Sequence, residues 1–348
     1  MHRVVSTAIL GFTAVTSFTD IAIADEGGVS FWLPGQFDSL AAAPQTPGWQ
    51  LSILNYYAAT NAGGDVAAAR QMTIGRLSPT INISLQAQQK ASSDVVSFDG
   101  SYVFSPPVLG GQFAIGMTGV VGRDITAISG TLTAAVGSLA FTRQGTIDEG
   151  RTGFGDLYPQ ASLRWSSGVN NWMTYVTGDI PVGEYSPTNL ANIGIGHGAV
   201  DGGIGYTYFD ERTGRELSVV TGLTYNMINP STGYRNGDDW HVDWSASQLL
   251  TKDLRAGAVG YYYQQVTADS GCAPILCPFE SRVAGIGPQF GFTVPGASVD
   301  ASVNFKAYWE FDAQARASGW NAWVTLSLSP SSSPPTSVPP PIITKTVR

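Results

Sequence analysis

The sequence predicts an all-β fold: a transmembrane antiparallel up-and-down β-barrel of the bacterial outer-membrane type, with about 12 strands and a short N-terminal plug segment. Three observations predict it. Val299, Ala301, Val303, Phe305, Ala307 and Trp309 alternate with Ser298, Asp300, Ser302, Asn304, Lys306, Tyr308 and Glu310. Successive strand side chains point to opposite sides, so this segment has one apolar face and one ionic face. The same alternation recurs along the chain behind an export signal. After that signal no uncharged apolar stretch reaches the ~18 residues of a spanning helix, a test that barrel strands never meet.

Taken in order, residues 1–24 read as a secretory signal: a basic start at His2 and Arg3, an apolar run from Val4 to Phe18, and the small-x-small site Ala22-Ile23-Ala24. Residues 25–47 do not alternate. Phe31, Trp32, Leu33 and Phe37 need burial there, which predicts a plug folded into the lumen or, alternatively, lying across the periplasmic mouth. Residues 48–329 form the barrel. Leu217, Val219, Leu223 and Tyr225 alternate with Glu216, Ser218, Gly222 and Thr224, and Trp240, Val242 and Trp244 with His241, Asp243 and Ser245; a 3.6-residue period fits neither segment. Short connections at 105–110, 167–170, 210–214, 251–253 and 295–297 contrast with longer ones near 61–77, 144–155, 182–198, 230–238, 267–279 and 311–318. Short turns at one end and long loops at the other is the asymmetry of outer-membrane barrels. If residues 79–105 and 111–143 are single long strands the count is 12; breaking each in two gives about 14. Trp49, Tyr56, Tyr57, Trp165, Trp172, Tyr208, Tyr225, Trp240, Tyr262, Trp309 and Trp320, at segment ends, suit aromatic girdles at the lipid–water interfaces. Residues 330–348, with Ser331-Ser332-Ser333-Pro334-Pro335 and Pro339-Pro340-Pro341, are expected to be disordered.

Composition narrows the partners. A net charge of −8 without a basic cluster argues against nucleic acid. Cys272 and Cys277 are expected to close a small disulfide loop in an oxidising compartment. A metal centre lacks ligands, since only His197 and His241 follow the signal, and no cofactor is implied. The partners expected are the lipid bilayer and a small solute.

His241, Asp243 and Ser245 are the residue types of nucleophilic hydrolysis on one strand face. Same-face positions lie ~7 Å apart, long for a His–Ser hydrogen bond, so polar lumen lining is the better account. Gly194-Ile195-Gly196-His197-Gly198 has no preceding parallel strand or following helix and does not read as a nucleotide loop. Residues expected to face the lumen are Arg164, Tyr206, Tyr208, Glu216, His241, Asp243, Arg282, Asp300, Lys306, Tyr308 and Glu310.

Several stretches also resemble a known family. They are Phe31-Trp32-Leu33-Pro34-Gly35, Tyr102-Val103-Phe104 with Pro107-Val108-Leu109-Gly110-Gly111, Gly153-Phe154-Gly155-Asp156, Tyr175 to Gly183, Gly205-Tyr206-Thr207-Tyr208 and Val283 to Gln289. From about residue 28 to 329 the chain is similar to outer-membrane transport proteins catalogued under the meta-pathway of phenol degradation. The resemblance implies a non-enzymatic channel aiding uptake of small hydrophobic or aromatic compounds, and it supplies no catalytic residues. The alternatives are an outer-membrane hydrolase using the His241 group and a closed structural or adhesive barrel.

Overall fold

The computed structural model of the chain describes residues 30–63, 83–136, 139–271 and 280–331. Alternating apolar and polar residues form strands whose backbone groups must all pair, and closing the sheet removes its edges. The described residues make one closed antiparallel barrel. Its strands are β1 (Gly48–Gly63), β2 (Ile83–Val103), β3 (Gln112–Val136), β4 (Leu139–Ser167), β5 (Asn170–Asp179) and β6 (Ala199–Asp210), then β7 (Arg215–Asn226), β8 (Asp239–Leu249), β9 (Leu254–Gln265), β10 (Arg282–Val294), β11 (Val299–Gln314) and β12 (Ser318–Pro330). Each pairs with its sequence neighbours, and β1 closes on β12 from Leu51↔Leu328 to Asn61↔Ser318. The count of twelve agrees with the sequence, and β2 and β3 are indeed single long strands.

The strand parity sorts the side chains. In β7, Glu216, Ser218, Thr224 and Asn226 are buried while Leu217, Leu223 and Tyr225 are exposed. In β11, Asn304, Lys306 and Tyr308 are buried while Phe305, Trp309 and Phe311 are exposed. A continuous apolar exterior around a polar interior is stable only against hydrocarbon. Trp49, Trp172, Tyr225, Trp240, Trp309 and Trp320 lie on that exterior. Tyr56 does not: it turns inward against the Trp323 ring, 4.6 Å between centroids.

One expected long connection is strand instead, and another shrinks to residues 315–317. Residues 144–155 belong to β4, a strand of 29 residues, and β11 and β12 extend to Gln314 and Ser318. The cause is common to both. A tilted strand of ~10 residues crosses the hydrocarbon, and β5 has 10, whereas β2, β3 and β4 have 21, 25 and 29. Past the bilayer both faces of a strand meet water, so Asp148, Glu149 and Arg151 or Asp312 and Gln314 carry no alternation to betray it. The expected tail at 330–348 begins later than that, since Pro330 is the last residue of β12; the expected signal at 1–24, the expected Cys272–Cys277 disulfide loop and residues 332–348 lie outside the described residues.

Candidate functional site

The N-terminal segment enters the lumen and is held there by carboxylates and amides that the strands project inward. Gly35 has φ +90, and a β-carbon there would lie 2.9 Å from the Tyr308 ring, so the turn needs glycine at this position. The turn aims the Gly35 and Phe37 amides at Asp243, which accepts them at Oδ1 (2.9 Å) and Oδ2 (3.0 Å). Lys306 Nζ donates to the carbonyls of Gly35 (2.7 Å) and Gln36 (3.0 Å) and lies 3.3 Å from Asp38. Glu216 accepts from Ser39 Oγ (2.9 Å), the Leu40 amide (3.1 Å) and Ser247 Oγ (2.7 Å). The Ala42 amide donates to Thr207 Oγ1. At the short-turn end, Gln45 and Gln112 exchange two hydrogen bonds before the chain enters β1.

Trp32 is buried and stacks on His241, 3.6 Å between centroids and 15° between planes. His241 Nε2 meets Asp201 Oδ2 at 3.0 Å, and Tyr175 reaches the same nitrogen at 3.4 Å. Gly222 makes room for this crossing: a β-carbon there would fall 2.3 Å from the Tyr175 hydroxyl and 2.8 Å from His241. Asp201, Tyr175, Ser39, Asn304 and Thr207 thus join a cluster in which the sequence singled out only Glu216, His241, Asp243, Lys306 and Tyr308. Their alternation with outward residues was the available signal for the strand members. Nothing local marks Ser39.

The polar anchors of residues 35–42 come from Thr207 of β6, Glu216 of β7, Asp243 of β8, Gln289 of β10, whose Nε2 donates to Ser39 Oγ, and Lys306 of β11, so this stretch leans to one side of the barrel. Beside it lies a cavity of about 680 Å³. Its lining reaches from Ser101, Arg164 and Ser327, near the short turns, to Thr60, Gln89 and Arg316, near the loops. One wall, made by the segment, is aromatic and aliphatic: Phe31, Leu33 and Phe37. The other wall, from β1 to β4, sets the hydroxyls and amides of Ser52, Ser93, Ser97, Thr118, Gln160 and Ser162 beside Tyr56, Val95 and Tyr158. The connection 180–198 folds over the loop end and adds Tyr185, Asn189, Asn192 and Ile195.

The remaining expected residues fall as follows. Arg164 lines the cavity and donates to Ser162 Oγ. Glu310 lines it too, accepting from Tyr261 and the Gly319 amide. Asp300 has inward parity but caps the turn before β11 by accepting from the Gly296 amide. Tyr206 and Tyr208 are corrected to the outer face. In β6 it is Asp201 and Thr207 that are buried inward with Gly203 and Gly205 between them, while Tyr206 stands against exposed Trp172, 6.2 Å between centroids. A phenol ring with a polar tip suits the interface as well as it suits a lumen. Arg282 is corrected as well. It pairs with outward Gln264 across the sheet and reaches Asp312 at 3.1 Å, at the loop-side rim.

His241, Asp243 and Ser245 share a face, yet each bonds elsewhere: His241 to Asp201, Asp243 to two backbone amides, and Ser245 to Glu216 at 3.2 Å. Among the described residues no group of three or more His, Cys, Asp or Glu is placed to hold a metal ion.

A family model described as "Putative MetA-pathway of phenol degradation" matches residues 45–326. Among solved structures, the COG4313 outer membrane channel from Pseudomonas putida F1 aligns with a TM-score of 0.52 at 11% identity, over 82% of this chain and 96% of that one. The translocator domain of the autotransporter NalP from Neisseria meningitidis aligns at 0.34 and 9%, over 82% and 90%. No curated protein matches in sequence. At such identities the first of these supports the barrel fold alone.

Proposed function

The chain belongs to the MetA-pathway phenol-degradation family, and from that membership and the lumen geometry we propose a passive outer-membrane channel for small hydrophobic or aromatic compounds. The chain would be exported by its cleavable signal and seated in a Gram-negative outer membrane. The observation that carries this reading is the two-sided cavity, whose lining runs from the loop end to the short-turn end beside the N-terminal segment. A ring can lie against Phe31, Leu33, Phe37 and Tyr158 while its polar substituent meets the hydroxyls of β1 to β4. Its ~680 Å³ falls in the range of small-molecule sites.

The segment acts as a hatch in this account, narrowing the lumen to a solute-sized path. Solute enters among the loops, passes the hatch and leaves at the short-turn end. Two experiments test this. Liposomes carrying the protein should take up phenol faster than a sugar of similar size; uptake of neither would favour a closed structural barrel. Deleting residues 25–47 should raise single-channel conductance in planar bilayers several-fold, because the lumen section blocked by Trp32 and its neighbours becomes water. An unchanged conductance would remove the hatch role.

A further inference from the structure

We propose that Asp99 is the charge filter of this path, passing aromatic solutes that donate a hydrogen bond, such as neutral phenols, and turning back aromatic carboxylates. The proposal deepens the channel reading and rests on it. Asp99 projects into the cavity from β2, opposite Ser52 of β1 and Thr118 of β3. Thr118 Oγ1 donates to its Oδ2 at 2.9 Å, and Gln160 Nε2 donates to the same oxygen. Both donors fix the carboxylate without neutralising it. Among the described residues no Lys, Arg or His lies within ion-pair distance of it.

The aromatic half of the site is adjacent. Thr118 pairs across the sheet with Tyr158, whose ring meets Phe31 of the hatch at 5.9 Å. A carboxylate beside two rings suits an aromatic ring bearing a hydrogen-bond donor. It repels a ring bearing a second carboxylate, and the low-dielectric surroundings strengthen that repulsion.

The cations along the path do not cancel this field. Lys306 is engaged by the backbone of the hatch and by Asp38. Arg316 lies over the Tyr263 ring at 4.8 Å. Arg164 sits nearer the short turns, opposite Gln112, so a solute coming from the loops meets Asp99 first.

Reversal potentials in a KCl gradient and liposome uptake of phenol and benzoate at neutral pH test the filter in the full-length protein. Wild type should prefer potassium over chloride and admit phenol about tenfold faster than benzoate. D99N should lower both preferences several-fold, chiefly by admitting benzoate faster, while Glu310 and Asp124, which also line the cavity, keep the remainder; D99E should keep both preferences. If D99N does not insert, S97D, which adds a carboxylate to the same wall one inward position away from Asp99, should deepen benzoate exclusion. A phenol-to-benzoate ratio and reversal potential unmoved by D99N, or by S97D in its place, overturn the filter and leave the channel standing. Uptake of neither solute by any variant overturns both.

Discussion

Asp243 shows how a single strand residue fixes the N-terminal segment. It is buried and accepts the Gly35 and Phe37 amides, one on each oxygen. Asparagine offers one acceptor and turns a second donor toward an amide, which leaves a buried N–H without a partner. Asp243→Asn should weaken the hold on the segment by about 1.5–3 kcal/mol. Limited proteolysis should then cut within residues 30–45, while the barrel still resists SDS until heated. Resistance of the segment equal to wild type would contradict the anchoring role. Parity alone was enough to send Glu216, His241, Asp243 and Lys306 inward from the sequence. For Tyr206 and Tyr208 the polar tip of the ring was taken as reason to face the lumen, and Arg282 was assigned to the polar face although it shares the parity of outward Ile286. Asp99 was legible by the same rule, on the face of Ser97 and Ser101. Inward Val95 blurs the alternation just before it.

At the scale of elements, the connection 180–198 is tied to the wall by Asp156. This buried carboxylate accepts from the Gly183 amide at 2.7 Å and the Ile195 amide at 2.8 Å. It belongs to the part of β4 that extends past the last β5 partners, beyond the bridge Leu157↔Ile180. Pro181 lacks the N–H that would continue the ladder, so the chain leaves the sheet there and the loop takes over the edge. Asp156→Ala should release the loop without opening the barrel. The expected result is faster cleavage within 182–196 by protease added to whole cells, at unchanged barrel stability. The extent of β4 was the least legible feature of the sequence, because Thr146 to Arg151 has the composition of a loop. Tertiary pairing with β3 through that stretch decides it.

At the scale of the whole molecule, one parity governs twelve strands, and that made the fold legible. Leu326 is outward, paired with Ile53 and Val303; its neighbour Ser327 lines the cavity. Leu326→Arg should cost roughly 2–4 kcal/mol of folding free energy in lipid bilayers, whereas Ser327→Arg should cost much less and alter conductance instead. Equal losses for both would mean that the two faces had been assigned wrongly. For the N-terminal segment the sequence favoured the lumen over the periplasmic mouth, without showing what would hold it there. Its apolar residues demanded burial, but the choice between lumen and mouth depends on distant partners such as Asp243 and Asn304.

The off-centre lodging of that segment divides labour within a single tube. In the proposed channel, staves β6 to β8, β10 and β11 grip residues 35–42, and staves β1 to β4 supply much of the lining of the bore. Recognition can therefore be rewritten on one arc without loosening the fastening on the other, so that members of such a lineage could exchange cargo while keeping the same bolt.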